Sequence, residues 1–311
     1  VTTTPLPAPL RGVVPPLVTP LTPDREVDTD SLRDLVDHLL RGGVDALFVL
    51  GSSGEAALLP DRQRDTVVAT VVDHAAGRVP VLAGAIDMST ARVVDHVRRA
   101  ADLGADAVVV TAPFYTRTHP AEIDGHFRAV AAASPVPVFA YDIPVSVGTK
   151  LPAELVLRLA EDGVLTGVKD SSGDDAGLRG LVLGSRHLPA FSVLTGSELT
   201  VDAALSSGAH GVVPGLGNVD PDGYVRLAQA AADGKPDEAR AEQERLYRLF
   251  GLVQAGRPDR MGRGSSALGA FKAALQLRGV LAHRTTALPY LPLDADEVAV
   301  VRRYLEEAGL L

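Results

Sequence analysis

The sequence predicts an α/β protein built as a closed (β/α)8 TIM barrel with a C-terminal helical extension. From Val13 onward, short β-branched runs alternate with amphipathic helical patterns at a nearly constant spacing, completing eight strand–helix units. The strand runs are apolar on both faces, as a parallel sheet covered by helices requires, and eight such units in roughly 225 residues suit a barrel. An open doubly wound sheet is the alternative. Against it, no glycine-rich dinucleotide fingerprint follows the first strand, where that fold would carry one.

The first strand is expected over residues 13–18. Behind it Leu32, Leu35, Val36, Leu39 and Leu40 fall at i, i+3, i+4, i+7 and i+8, a helical stripe that stops at Gly42-Gly43. Further strands are expected over 46–50, 81–85, 107–110, 138–141, 165–169, 192–195 and 211–214. Ser89 stands where a helix cap belongs and Pro152 where a first-turn proline does. After the eighth unit, 236–252, 265–278 and 294–308 read as helices, with Pro289 and Pro292 in a connecting loop. The chain therefore divides into a disordered lead-in (1–12), the barrel (13–234) and a helical extension packed on it (235–311).

Composition narrows the chemistry. A content of 46% hydrophobic residues allows a large core, and the absence of cysteine rules out disulfides, thiolate metal sites and cysteine nucleophiles. It also fits a reducing cytoplasm, the expected location. A formal charge of −9 with no basic block argues against nucleic acid or an anionic membrane as partner. No apolar run approaches the ~18 residues of a membrane span, and the Thr/Pro-rich start lacks the pattern of a signal peptide. His38, His74, His96, His126, His187 and His210 lie mostly in or beside helices without HxH or HExxH spacing. They read as surface residues, and no metal site is expected. The mixed charges of 237–248 read as a solvated helix face with i, i+4 pairs. Asp170, Asp174 and Asp175 could hold magnesium, but a loop and helix start there explains them more simply.

The chemistry centres on Lys169. The chain has four lysines, Lys150, Lys169, Lys235 and Lys272, and only Lys169 ends a short apolar run that reads as a buried strand. An amine there loses hydration, which favours the neutral form that attacks a carbonyl; arginine cannot do this. The competing reading is a strand-end lysine that snorkels to water or pairs with Asp170. Other strand ends add Gly51-Ser52-Ser53-Gly54-Glu55, Ala112-Pro113-Phe114-Tyr115 and Tyr141-Asp142-Ile143-Pro144. Singly, a Ser/Gly turn and a rim tyrosine are ordinary. Together, an imine-forming amine, a proton-moving phenol and a hydroxyl pair suited to a carboxylate are the parts needed to process a 2-oxo acid.

The order of these motifs, continued by Gly167-Val168-Lys169-Asp170-Ser171-Ser172-Gly173-Asp174, Thr195-Gly196-Ser197-Glu198 and Gly211-Val212-Val213-Pro214, resembles the dihydrodipicolinate synthase and N-acetylneuraminate lyase family of class I pyruvate-dependent aldolases. The resemblance runs from about Val13 through the helical tail. It implies that Lys169 forms the imine and that Tyr141 shuttles protons. Ser53 would bind the pyruvate carboxylate, Ser52 would link two tyrosines, and Tyr115 would reach into a neighbouring subunit's site in a homotetramer. Gly196 and the Val213 carbonyl would line the floor. No cofactor is implied beyond the covalent imine.

Serines replace the family's usual threonines, and Phe114 a frequent tyrosine. Ser146 stands where a dihydrodipicolinate synthase of similar spacing carries an arginine for the aldehyde's carboxylate, a contact that serine cannot supply. Arg117 or Lys150 could approach from another direction. Glu198 falls where neuraminate lyases place a sugar-binding acid, in a loop one residue shorter; its plainer reading is a first-turn helix carboxylate. The expected function is a Schiff-base lyase acting on a 2-oxo-3-deoxy sugar acid or another 4-hydroxy-2-oxo acid, with pyruvate and an aldehyde as partners. Condensation of pyruvate with aspartate semialdehyde, neuraminate cleavage or a related dehydration, and a silent barrel that only binds a 2-oxo acid are the alternatives.

Overall fold

The structure, a computed structural model, describes residues 6–311. Strands β1 (Gly12–Val13), β2 (Leu47–Val49), β3 (Val81–Gly84), β4 (Ala107–Thr111), β5 (Val138–Asp142), β6 (Gly167–Asp170), β7 (Ser192–Thr195) and β8 (Gly211–Val212) form one parallel sheet in the order β1-β8-β7-β6-β5-β4-β3-β2. The ring closes between its ends: Asp45 N–H donates to Val13 O (2.9 Å), Phe48 N–H to Pro15 O (3.1 Å) and Leu17 N–H to Phe48 O (2.8 Å). Strand β1 is far shorter than the expected 13–18. Pro15 and Pro16 have no N–H to give, so the regular ladder stops and single bonds complete the closure.

Helices α1 (Thr29–Arg41), α2 (Asp61–Ala75), α3 (Thr90–Asp102) and α4 (Pro120–Ala133) follow β1 to β4. After β5 a one-turn helix α5 (Pro144–Val147) precedes α6 (Ala153–Glu161); α7 (Asp175–Gly184), α8 (Val201–Ser206) and α9 (Pro221–Ala232) follow β6 to β8. Alternation along the strands separates two apolar layers. Phe48, Leu82, Val109, Phe139, Tyr141, Leu194 and Val213 fill the barrel, while Val49, Val108, Val110, Ala140, Val168 and Val193 pack outward with the helices. That is why the strands read as continuous apolar runs.

The lead-in is more ordered than expected. Leu10 is fully buried inside the barrel's N-terminal end with its N–H on Ser192 Oγ (2.9 Å), and Gly12 already belongs to β1. Residues 1–5 of that expectation lie outside the described residues. Asp28 caps α1 through Ser31 N–H (3.1 Å), whereas Ser89 sits at the N-cap of α3 without a side-chain bond and Pro152 at the N-cap of α6 rather than in its first turn. Among the described residues no helix is long and apolar enough to cross a membrane.

Two histidines overturn the surface reading. His38 is buried with Nε2 3.1 Å from Asn218 O, and His126 is buried with Nδ1 2.9 Å from Thr90 Oγ1. Burial holds His126 down at about 4, only partly offset by a bond with the Thr111 backbone. The unfolded chain therefore binds the extra proton first, and stability present above about 6.5 is lost as the pH falls toward about 4. The full loss from this group is about 3 kcal/mol. Urea midpoints measured across that window should fall less steeply for His126→Gln than for the wild type; equal slopes would disprove the assignment.

The extension consists of α10 (Pro236–Phe250), α11 (Arg263–Leu277) and α12 (Ala295–Glu307). The run 237–248 is only half solvated: Ala239, Gln243 and Leu246 are buried, and its ion pairs Arg240–Asp237 and Arg245–Glu242 span i, i+3. Gln243 accepts from Val201 N–H (2.8 Å) and donates to Glu198 O (3.1 Å), tying α10 to the loop after β7. Helix α11 is buried on almost every side, so it is an internal strut of the extension.

Candidate active site

Register places the chemistry. Thr111 pairs with Tyr141 and Tyr141 with Lys169 across β4, β5 and β6, so these residues stand side by side at the C-terminal end of the barrel. Lys169 is 5% exposed, and its Nζ lies 4.1 Å from the centroid of the Tyr141 ring and 5.1 Å from that of Phe48. The two rings meet edge to face at 6.4 Å and form an aromatic cup for the amine. Lys169 thus neither snorkels outward nor relies on Asp170.

Ser52 Oγ sits 3.4 Å from the Tyr141 hydroxyl. Burial raises the phenol's pKa, but the charge of Lys169 and hydrogen bonds with Ser52, Lys169 and Ser171 outweigh it and hold Tyr141 below the ordinary tyrosine value. The phenol is therefore disposed to give up its proton more readily than a free tyrosine. Ser171, one residue past β6, was not among the expected site residues; it was hidden in a Ser-Ser-Gly turn of ordinary appearance. Its Oγ lies 1.9 Å from where a Cβ on Gly196 would be, so only glycine lets these loops approach. Gly196 N–H donates to Asp170 O (2.7 Å), and Val213 is buried in the barrel interior beside Tyr141 and Leu194.

A cavity of about 300 Å³ opens over Ser52, with Gly51, Thr111, Phe114, Ser146 and Tyr290 on its wall. Neither Lys169 nor Tyr141 is on that wall; the Ser52 contact joins the Tyr141 hydroxyl to it, with the Lys169 amine against the Tyr141 ring. Ser53 is half-buried in the same turn as Ser52. Ser146 is exposed on α5 and lines the cavity.

Other expected residues lie elsewhere. Tyr115 is 95% exposed with a left-handed φ of 66° and does not join its own chain's site. Lys150 donates to the Asp142 carboxylate and to Leu151 O (3.3 Å), so it is held against β5 and is not available in place of the missing arginine. Arg117 is exposed and is not on the cavity wall. Glu198 precedes the Thr200 cap of α8, so it is not a first-turn residue. Its carboxylate accepts Leu216 N–H and is absent from the cavity wall. Burial pushes it up to about 7, against the Leu216 and Gly215 bonds and the charge of Lys169.

Asp170 accepts Ser172 N–H (2.8 Å), Asp174 caps α7 through Gly177 N–H (2.8 Å) and Asp175 opens its first turn, so the acidic cluster is a loop and a cap. Among the described residues no three His, Cys, Asp or Glu side chains gather as a metal site.

Sequence reasoning also missed Glu55 and Lys272. Lys272, on α11, donates to Glu55 Oε2 and to Thr285 O (2.8 Å), while Ala287 N–H donates to Glu55 Oε1 (2.7 Å). Both side chains are wholly buried. The available signal was a lone lysine inside the apolar stretch 268–275. Next to it, Phe271 packs its ring against the backbone at Gly215, so α11 supports the loops after both β2 and β8.

Comparison with known proteins agrees with this geometry. An uncharacterized DapA-like lyase from Halobacterium salinarum is 38% identical over 302 residues, covering 97% of this chain and 95% of that protein. A 4-hydroxy-tetrahydrodipicolinate synthase from Xanthomonas axonopodis pv. citri is 35% identical over 299 residues, with 96% and 95% covered. Among solved structures, YagE, a prophage protein of the dihydrodipicolinic acid synthase family from E. coli K12 in complex with pyruvate, superposes with a TM-score of 0.90 at 29% identity, covering 97% of this chain and 99% of that one. Residues 9–308 match the Dihydrodipicolinate synthetase family as a whole. With the barrel, the strand-end motifs and nearly full-length similarity in agreement, the chain belongs to the dihydrodipicolinate synthetase family of pyruvate-dependent lyases and synthases.

Proposed function

We propose that the protein is a Schiff-base aldolase that cleaves or forms the C3–C4 bond of a 4-hydroxy-2-oxo acid, with a 2-oxo-3-deoxy sugar acid as the leading substrate class. The observation that carries this reading is Lys169 Nζ resting 4.1 Å from the Tyr141 ring centroid while Ser52 contacts the phenol. The neutral Lys169 amine adds to the C2 carbonyl, and the carbinolamine hydroxyl leaves as water with the proton of Tyr141, giving the protonated imine and the Tyr141 phenolate. Tyr141 takes the proton of the C4 hydroxyl, the C3–C4 bond breaks, and its electrons pass into the imine as an enamine while the aldehyde departs. Protonation at C3 and hydrolysis release pyruvate and the free amine. Because the imine is the electron sink, the reaction needs no cofactor.

Ser53, with Ser52 beside it, is assigned to the pyruvate carboxylate, and Gly196 and Val213 to the floor. Tyr115 is assigned to a neighbouring subunit's site in a homotetramer. Its support is a tyrosine left almost wholly in solvent, in a backbone conformation that costs about 1–2 kcal/mol, with no task in its own chain. A cysteine-free acidic chain suits the cytoplasm.

Condensation with aspartate semialdehyde is the second reading, favoured by the name of the Xanthomonas relative. Ser146 at the cavity and the engagement of Lys150 by Asp142 weigh against it, since neither offers a bidentate cation to a second carboxylate.

The test is incubation with pyruvate, borohydride reduction and mass analysis of the peptide containing Lys169, followed by turnover of a panel of aldols. An adduct with turnover of a 4-hydroxy-2-oxo acid is expected; an adduct without any turnover would support the silent barrel. Ser146→Arg should raise kcat/KM for aspartate semialdehyde by about tenfold or more. A drop in that value would remove the argument from this loop.

A further inference from the structure

Building on the Schiff-base reading above, we propose that Glu55 and Lys272 are positioning residues, whose buried ion pair lets the C-terminal extension hold the Ser52-Ser53 turn in its pyruvate-binding geometry.

The turn has backbone bonds of its own, Gly54 N–H to Gly51 O (3.0 Å) and Glu55 N–H to Ser52 O (3.1 Å), but it is strained. Leu50 has φ 57° and Glu55 φ 58°, so two non-glycine residues in the left-handed region bracket the two serines. Each such residue is disfavoured by about 1–2 kcal/mol, and the arrangement persists only if its surroundings over-determine it. One restraint is Thr19 Oγ1, which donates to Gly54 O at 2.7 Å. The other is Glu55. Although it borders the cavity, its carboxylate is fully engaged, one oxygen with Lys272 and the other with Ala287 N–H. Lys272 is itself aimed by Thr285 O.

The path from this pair to the chemistry is short. Glu55 N–H donates to Ser52 O (3.1 Å), and Ser52 Oγ meets the Tyr141 hydroxyl (3.4 Å). An apolar pair of equal size could join the extension to the barrel as firmly, because burying two charges gains little net stability. Directional bonds to both carboxylate oxygens fix one backbone orientation at Glu55, which apolar packing would not do. The pair is thus explained by geometry at Ser52 and Ser53 rather than by adhesion alone.

The experiment uses the full chain and the pyruvate concentration giving half-maximal borohydride trapping at Lys169, together with kcat and KM. Glu55→Gln/Lys272→Met removes both charges at nearly constant volume. Leu246→Ala, in α10 and remote from the turn, serves as a packing-loss control. The double variant is expected to trap to completion, since Lys169 is intact, but with half-saturation and KM for pyruvate raised about tenfold. Leu246→Ala should stay within about twofold of wild type while melting earlier. A folded double variant with unshifted half-saturation, or a control shifted equally, overturns the inference. Should the double variant not fold, Glu55→Gln alone, which keeps an acceptor for Ala287, is held to the same expectation. Wild type that traps nothing at any pyruvate concentration overturns the aldolase reading as well, whereas a trapping wild type beside an unshifted variant overturns this inference only.

Discussion

Lys169→Arg is expected to abolish the borohydride-trapped adduct and to lower kcat by roughly 10⁴ to 10⁶, the range seen when a covalent nucleophile is removed. Arginine keeps a cation that can lie against Tyr141 and Phe48, so the aromatic cup and the fold should survive. It cannot lose its proton, and a guanidinium does not add to a ketone under these conditions. Near-unchanged melting with lost turnover would therefore separate chemistry from packing. A variant that kept about a hundredth of wild-type turnover would have given up only ~2.7 kcal/mol of transition-state stabilisation, too little for an imine nucleophile. Lys169 would then have to be replaced in this scheme by another group.

Lys272→Met should destabilise the protein by about 3–5 kcal/mol, because it leaves the Glu55 carboxylate buried without its cation. For a chain of this length the melting temperature should drop on the order of 10 °C. Burial already pushes the Lys272 ammonium down, against the pull of Glu55, so methionine at this position removes a costly charge as well as a partner. Adding Glu55→Gln to the Lys272→Met background should recover much of the loss, since the two side chains share one interaction and their effects do not add. Thermal scans of the two single variants, the double variant and wild type give the coupling directly. Melting of Lys272→Met within a degree or two of wild type would show that the carboxylate finds another route to neutrality.

The parts of the fold that were legible in the sequence are those set by local pattern. Strands covered on both faces must be apolar throughout, so each was visible as a run, and their regular alternation with helices fixed the architecture. Lys169 and Tyr141 end consecutive strands, and parallel register alone then sets them side by side. Strand ends were less legible. Pro15 and Pro16 are apolar enough to extend the first run, yet lack the donors a ladder needs.

Orientation and distant pairing were the least legible. His38 and His126 are polar by composition and buried by the face they occupy. Glu198 was expected to bind substrate, but its carboxylate turns to the Leu216 amide and is absent from the cavity wall, a direction no sequence window contains. Glu55 and Lys272 lie 217 positions apart, so neither could be recognised as half of a pair.

That separation also bears on how the enzyme comes into being. Ribosomes add roughly 5 to 20 residues per second, so the partner of Glu55 is polymerised on the order of 10 to 40 s after it. Every strand of the barrel leaves the exit tunnel before that moment, while the turn carrying Ser52 waits around an uncompensated carboxylate. Nascent chains that have not yet reached residue 272 would consequently hold pyruvate only weakly even with Lys169 and Tyr141 in place, and full affinity would arrive once Lys272 had emerged.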